Sequence, residues 1–477
     1  MSEEAAIIGS VKRPIELAEP MKIARAFIHS QCMTPAGRCG IWYWRGSFLV
    51  WVGNRWVSRT KEVLSDLVFR WGENVHCMVP TTKGFSTVRW APTPSKVDDV
   101  VGAIVALARA PWEKLPVWTS EFEALPPPDY CIGFNDKVVC VEKGEMKVVD
   151  RDERWLDPAI VPCDWEVAAD AECPVWEKAI NDWSLGKEAW KQTLQQFVGY
   201  ALTPNRRHAK FLLMYGATRG GKGVITRVVR MLVGEHSFWS TSMREMAGTF
   251  GMDGAERAKV LAVNEVGALD WNDASGFAVN FKNILGEDPI SVNVKYQRQI
   301  QNVVCRAAPL LSSNEIPHIA NKGDSISSKM LILPFWKSFR EKPDLELTDK
   351  LQQELPGIAR WAVEGVLRLE RERTWPVVDG ALEVMDTFRG LNSPLDLFLQ
   401  SCFVKDPNGF VPNHLLVQAW QEYRTANKVK DDYAKNMLPI KLELDTSWGL
   451  QRDRKSVGGV QLRGLRGLGL LKKQTEG

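Results

Sequence analysis

The sequence predicts an α/β protein whose central part is a parallel sheet with flanking helices. Between residues 208 and 335, four short apolar runs alternate with helical stretches. Strands that are apolar throughout are typical of parallel sheets covered on both faces. A glycine-rich loop follows the first run directly, and polar residues end the second and third. The chemistry is therefore expected at one edge of that sheet. The four runs are FLLMYG, KVLAVNE, APLLSSN and MLILPF.

The composition is that of a globular protein rather than a membrane or strongly basic one. The 477 residues are 45% hydrophobic and 25% charged, with a formal net charge of +3. Any affinity for nucleic acid must therefore come from local basic patches. No apolar run approaches the ~20 residues that cross a bilayer, and the N-terminus lacks the order of a secretory signal. We expect a cytoplasmic protein with no membrane partner.

Nine scattered cysteines suit a reduced compartment. His29, Cys32, Cys39, His76 and Cys77 do not have the spacing of a tetrahedral zinc site, so we interpret these cysteines as ordinary small apolar residues. Tryptophan is abundant before residue 191, and we expect the cluster around residues 42–56 to pack across strands rather than stack on bases.

The segment GATRGGKG connects the strand FLLMYG to the helical stretch VITRVVRMLVG. This GxxxxGK spacing is that of a phosphate-binding loop. Glycines let backbone N–H groups turn toward a phosphate, and the helix N-terminus adds a partial positive charge. A lysine in this place reaches the β- and γ-phosphates of a nucleotide. The predicted nucleotide-binding residues are Gly216, Ala217, Thr218, Arg219, Gly220, Gly221, Lys222, Gly223 and Val224.

One position departs from that pattern. A Ser or Thr after the lysine ordinarily binds Mg²⁺, but Gly223 stands there. Thr226 lies about 4–5 Å further along the helix axis and is a doubtful substitute. We expect magnesium to depend more on water, on the phosphates and on the next motif.

Two strand ends supply the expected hydrolytic groups. Glu265 follows the second run, where a carboxylate can orient the attacking water, in part through water bound to magnesium. Asn264 stands where an aspartate would help to hold the metal. Asn314 ends the third run and is expected to hydrogen-bond both the water and the γ-phosphate.

A predicted hairpin carries a lysine, a tyrosine and an arginine near its tip, at Lys295, Tyr296 and Arg298. A cation beside an aromatic ring can hold a phosphate and stack on a base. A plain surface hairpin is the alternative that these residues alone leave open.

Together, GATRGGKG, VLAVNE, LGEDPISVNVKY and LLSSNEIP resemble, in that order, superfamily III helicases of the phage, plasmid and large-DNA-virus primase-helicase type. The likeness covers about residues 120–375 well and both ends more loosely, and we expect no primase catalytic centre in this chain. It implies an AAA+-like P-loop ATPase that uses ATP and Mg²⁺. It also implies a hexameric ring on single-stranded and forked DNA, replicating a mobile element in a bacterial host or a phage-infected cell. A separate primase or replication initiator is an implied partner.

The resemblance also suggests residue roles. Lys295 and Tyr296 match the pair that lines the ring channel. Lys329 stands where the family usually has an arginine that reaches the neighbouring subunit's γ-phosphate. Because lysine offers a point charge rather than a fork, Arg306 and Arg298 are further candidates.

After residue 394, three helical stretches and a final hairpin predict a winged-helix-like DNA-binding domain. Residues 450–477 have seven Lys or Arg and two acidic residues, and Arg452, Arg454 and Lys455 are the candidate DNA contacts. A solvated basic tail is the alternative.

We expect four domains: an α+β accessory domain at 1–125, a hairpin and helical domain at 126–204, the ATPase at 205–375 and the winged-helix-like domain at 385–477. The alternative to a helicase is an origin- or DNA-binding protein that uses nucleotide only to assemble, because Gly223, Asn264 and Lys329 each weaken catalysis in principle. A DNA-packaging or transport ATPase shares the loop but not the hairpin.

Overall fold

The chain forms two compact units, Met1–Ala171 and Glu172–Gly477. The expected division into four domains stays a prediction. The computed structural model describes residues 15, 18–120, 125–264, 271–293, 299–317, 319, 325–341, 344–392, 394–426, 434, 436–444, 446, 448–457 and 460–470.

The first unit combines helices with small antiparallel sheets. Strands β1, β2 and β3 form one meander and β7, β8 and β9 another, as the alternating sequence predicts. Its elements are α1 (Pro20–Gln31), β1 (Ile41–Trp44), β2 (Ser47–Val52), β3 (Arg55–Arg59), α2 (Lys61–Gly72), β4 (His76–Thr81), β5 (Gly84–Arg89), α3 (Pro94–Leu107), β6 (Val117–Trp118), β7 (Cys131–Gly133), β8 (Lys137–Glu142), β9 (Glu145–Asp150), β10 (Trp155–Leu156) and α4 (Trp165–Ala168).

The tryptophans of this unit pack against one another. Trp42 meets Trp112 edge to face at 4.9 Å, and Trp51 meets Trp56 across β2 and β3 at 5.5 Å. Edge-to-face contacts of this kind stabilise a core beyond their buried area. The packing expected from the sequence is confirmed.

The described cysteines are free thiols. Among the described residues, no group of three or more His, Cys, Asp or Glu side chains could hold a metal ion. No helix in the described part of the chain has the length and apolar character needed to span a membrane.

The second unit contains the predicted parallel sheet. Its elements are α5 (Pro174–Ser184), α6 (Glu188–Leu202), β11 (Phe211–Gly216), α7 (Lys222–Val233), β12 (Phe238–Thr241), α8 (Met243–Ala247), β13 (Val260–Asn264), α9 (Trp271–Gly286), β14 (Ile290–Val292), β15 (Ile300–Val303), β16 (Ala308–Ser313), β17 (Met330–Phe335), α10 (Leu347–Gln353), α11 (Leu355–Glu372), α12 (Ala381–Asn392), α13 (Pro394–Cys402), β18 (Phe403–Pro412), α14 (Asn413–Ala426), α15 (Leu438–Leu444), β19 (Gln451–Val457) and β20 (Val460–Leu470).

Five strands form this sheet in the order β12-β13-β16-β11-β17, and every neighbouring pair is parallel. The α/β fold with a parallel sheet and flanking helices is therefore confirmed. Phe277 and Phe281 of α9 pack with Phe211 and Leu213 on one face, while the buried side chains of α7 include Ile225. Strand β12 was not expected, because four residues with one fully buried side chain give too short an apolar signal.

Helix α6, which lies in the helical segment before the sheet, packs against α11. Gly199 lies so close to α11 that an added Cβ would collide with the carbonyl oxygen of Ala362. Just after α6, the guanidinium of Arg206 donates to the carbonyl oxygens of Tyr200, Asn205 and Ala201 and to those of residues 259 and 306. Burial lowers the pKa of Arg206. This buried arginine joins the helical segment to the amino-terminal ends of the sheet strands.

The C-terminal part has its own apolar core, built from helices α13, α14 and α15 on a sheet of order β18-β20-β19. The sequence predicted the helices and the last hairpin. It did not predict β18, which runs between α13 and α14 and is polar and exposed along much of its length.

Candidate functional site

The loop from Gly216 to Gly221 leaves the carboxyl end of β11 and leads into the first turn of α7. Gly216 and Gly221 have φ angles of 123° and 109°, a region that favours glycine. A Cβ on Gly221 would also lie 2.5 Å from Cε2 of Trp183. The loop therefore requires glycine at both ends.

The end of β17 and the residues just after it form hydrogen bonds with this loop. The N–H of Ala217 donates to the carbonyl of Phe335 at 2.9 Å, and the N–H of Phe339 donates to that of Arg219 at 3.1 Å. The hydroxyl of Ser338 donates to the carbonyl of Thr218 at 2.8 Å. These bonds keep Arg219 in a left-handed conformation, with φ 58°, that side chains rarely adopt.

Lys222 is buried at the centre of the loop, with 7% of its surface exposed. Its Nζ donates to the carbonyls of Gly216 and Ala217 at 2.7 and 2.8 Å, and to Oδ1 of Asn314 at 2.9 Å. All three acceptors are neutral, and burial lowers the pKa of Lys222. A buried ammonium whose acceptors among the described residues are neutral oxygens is suited to an anionic ligand.

The start of α7 offers no hydroxyl to a metal. Gly223 faces open space, since an added Cβ would have Nη1 of Arg227 as its nearest neighbour, at 3.6 Å. The Thr226 hydroxyl donates to the carbonyl of Lys222 at 3.1 Å and so is engaged within the helix. This position agrees with the expectation that Thr226 does not replace the missing residue.

Three parallel strands bring their polar ends to the same edge. Asn314 follows β16 and reaches Lys222, which lies beyond the end of β11. Asn264 ends β13, the next strand of the sheet, and its Nδ2 donates to the hydroxyl of Ser240 on β12 at 3.3 Å. Asn264 is exposed at this edge. Glu265 lies outside the described residues.

Beside the loop is a cavity of about 970 Å³. Helix α5 forms one side, the loop with the first turns of α7 a second, and the segment from Phe339 to Lys350 a third. Asp344 and Lys350 form an ion pair at its rim, with Nζ and Oδ2 3.1 Å apart. The size suits a small-molecule ligand. The sequence did not predict this cavity, because no motif relates α5 to a loop some forty residues later.

Two of the three candidates for a contact with a neighbouring subunit, Lys329 and Arg306, lie at the opposite, amino-terminal edge of the sheet, and the third, Arg298, lies outside the described residues. Lys329 precedes β17, and its Nζ donates to the carbonyl of Leu285 at 2.9 Å. Arg306 precedes β16 and pairs with Glu287 at 3.7 Å. Both cations therefore contact the carboxyl-terminal end of α9.

The DNA-binding candidates fall into two groups. Lys295, Tyr296 and Arg298 lie outside the described residues, between strands β14 and β15, which pair antiparallel as expected. Arg452, Arg454 and Lys455 are exposed on β19. Arg452 forms an ion pair with Glu443 of α15.

Comparison with known proteins gives one family match and several structural likenesses. Residues 214–327 match a family of unknown function, DUF5906. An A-form apo structure of the NrS-1 C-terminal region has a TM-score of 0.47 and 11% sequence identity, covering 94% of this chain and 99% of that chain. Two further apo structures of this region have TM-scores of 0.44 and 0.45 at 12% identity, with the same coverage.

Proposed function

We propose that this chain is an ATP-dependent DNA helicase, a homo-oligomeric ring that translocates on single-stranded DNA during replication of a phage, plasmid or other mobile element. The observation that carries the proposal is Lys222. It is buried in a strand–glycine loop–helix connection, surrounded by neutral acceptors and adjacent to a cavity of about 970 Å³. That combination favours a ligand with both a polyphosphate and a larger organic part.

The loop and Lys222 bind the phosphates. The N–H groups of Lys222 and Gly223, the first two of α7, have no acceptor within the helix and can donate to phosphate oxygens, whereas the N–H of Val224 donates to the carbonyl of Gly221 at 2.9 Å. When a phosphate enters, Lys222 can exchange its loop carbonyls for the β- and γ-oxygens while Asn314 keeps its ammonium in place. The base and sugar would occupy the cavity between α5 and the segment 339–350.

Mg²⁺ is proposed to bind at this edge of the sheet and to keep several water molecules as ligands. We assign the amide oxygen of Asn264 as its protein ligand, because oxygen donors are those Mg²⁺ prefers. The bound ion would neutralise phosphate charge. Glu265, the next residue, is proposed to orient the attacking water.

Contacts within one subunit favour a second candidate function. Gly223 supplies no hydroxyl, and both Lys329 and Arg306 contact the end of α9 in their own chain. A protein that binds nucleotide to assemble on DNA, with weak or no hydrolysis, would need none of these groups for catalysis.

ATP binding measured by isothermal titration calorimetry tests the site. Because hydrogen bonds to a charged group contribute about 1.5–3 kcal/mol, Lys222→Ala should weaken ATP binding at least about tenfold. Lys191→Ala is the matched control, since Lys191 lies on α6 and pairs with Glu188 at the surface. Equal ATP affinity in folded Lys222→Ala and wild-type protein would remove the phosphate loop from the proposal.

A further inference from the structure

The last hairpin of the chain belongs to a subdomain with its own core. Helices α13, α14 and α15 and the sheet β18-β20-β19 bury a shared set of apolar side chains, which includes Phe398, Trp420, Leu442 and Leu465. Strands β19 and β20 pair antiparallel from Gln451 opposite Arg466 to Val457 opposite Val460. Their shared face can therefore be assigned residue by residue.

The register divides the basic residues between two faces. Arg452 lies opposite the buried Leu465, and two residues further along, Arg454 lies opposite Arg463. Because side chains alternate along a strand, these four residues share the face that packs toward α15. The ion pair between Arg452 and Glu443 of α15 agrees with that assignment. Lys455, opposite Leu462, is on the other face.

Arg454 and Arg463 are thus two exposed like charges directly opposite each other, an arrangement that destabilises a sheet by itself. Among the described residues, no ion pair joins either guanidinium to a carboxylate. Asp453 accepts a hydrogen bond from the backbone N–H of Arg454 at 2.7 Å, and its position on the strand is that of the opposite face. The pair therefore has an unbalanced charge of the kind that an anionic ligand neutralises.

We propose that Arg454 and Arg463 form a clamp for the backbone phosphates of duplex DNA, with Arg452 positioning the hairpin through Glu443. Guanidinium groups suit phosphate because their planar fork donates two parallel hydrogen bonds. The clamp deepens the proposed function, since it rests on DNA being the polymer on which the protein acts.

The residues of the hairpin favour a duplex over a single strand. Proteins that hold single strands without sequence preference stack bases on aromatic side chains. Neither β19 nor β20 contains an aromatic residue. The α14–α15 pair lies beside the hairpin, and in helix-turn-helix proteins such a second helix enters the major groove. The clamp would then contact the adjoining phosphates.

Fluorescence anisotropy of a labelled 30-base-pair duplex, measured with the full chain and without nucleotide over a salt series, tests the clamp. Arg454→Ala and Arg463→Ala should each weaken duplex binding about fivefold, similarly for unrelated sequences, and reduce the salt slope by about one. Lys405→Ala removes one positive charge from β18 of the same sheet, at a residue with no assigned DNA contact, and should change the affinity less than about twofold.

Other outcomes overturn the clamp. An equal loss in Lys405→Ala would mean a diffuse basic surface, and unchanged binding in both arginine variants would place duplex binding elsewhere. A larger loss for a single-stranded 30-mer, or for duplex RNA, than for duplex DNA would contradict the assigned partner. The arginine variants should bind ATP as tightly as the wild type. If the wild-type chain bound no ATP but the arginine variants still weakened duplex binding, the proposed function would be wrong and the clamp would stand.

Discussion

Asn264 stands where a carboxylate would ordinarily help to hold magnesium, and a neighbouring hydroxyl orients its amide. Ser240 accepts from Nδ2 of Asn264, which leaves Oδ1 at the edge where the phosphate loop ends. An amide oxygen is a weaker magnesium ligand than a carboxylate. Its orientation therefore matters more, because partners of a metal ligand determine its direction.

Ser240→Ala should raise the Mg²⁺ concentration needed for half-maximal ATP binding by about tenfold, the lower limit for losing a ligand's hydrogen-bonding partner. Ser240→Thr keeps the hydroxyl and should restore the wild-type requirement. ATP binding in EDTA should be the same in all three proteins. A Ser240→Ala protein with the wild-type Mg²⁺ requirement would show that Asn264 does not hold the ion.

The residues that sequence reasoning found differ in kind from those it missed. The strand–loop–helix connection that contains Lys222 was predictable, because its glycines mark backbone positions with positive φ, as Gly216 and Gly221 show. Ser240, Trp183 and Phe335 were not, because their contacts with this site depend on strand order and helix packing. No local spacing in the sequence records those arrangements.

Among the strands of the parallel sheet, those with a long run of apolar residues were predicted from the sequence. Strands β11, β13, β16 and β17 have four or more consecutive buried residues and were expected. Strand β12 is short and lies at the sheet edge, and β18 consists largely of exposed or half-buried residues. Neither strand therefore has an apolar run that predicts it from the sequence. The cavity was missed for a similar reason, since α5 reads as an ordinary amphipathic helix.

Arg206 provides a stability test of how these elements are joined. Its replacement by alanine would leave buried carbonyls of α6 and of the sheet without donors, at a cost of about 1–3 kcal/mol for each carbonyl that stays unpaired. The midpoint of thermal unfolding should fall by at least about 5 °C. Arg230→Ala removes an exposed ion pair with Glu235 and should change it little. Equal midpoints for Arg206→Ala and wild type would contradict this role.

For the whole molecule, the positions of Lys329 and Arg306 relative to Lys222 bear on how subunits of the proposed ring would meet. Lys329 and Arg306 lie at the amino-terminal edge of the sheet, whereas Lys222 lies beyond the carboxyl-terminal edge. In a closed ring the contacts are heterologous, so two different faces of each subunit meet. In the proposed ring, such a contact would bring the α9 end of one subunit toward the glycine loop of the next.

The proposed motor and the assembly protein differ in turnover. ATP hydrolysis is therefore the property that separates them, and single-stranded DNA is the ligand that a translocating motor must sense. Glu265→Gln should bind ATP like the wild type but hydrolyse it more slowly, by about 10²–10⁴-fold if Glu265 acts as a general base.

The most direct test is the rate of ATP hydrolysis with and without single-stranded DNA, for wild-type and Lys222→Ala protein. A helicase predicts measurable turnover that rises several-fold with single-stranded DNA, and almost none in Lys222→Ala under either condition. Wild-type protein that binds ATP and DNA without hydrolysis, or a folded Lys222→Ala protein with unchanged turnover, would contradict the account.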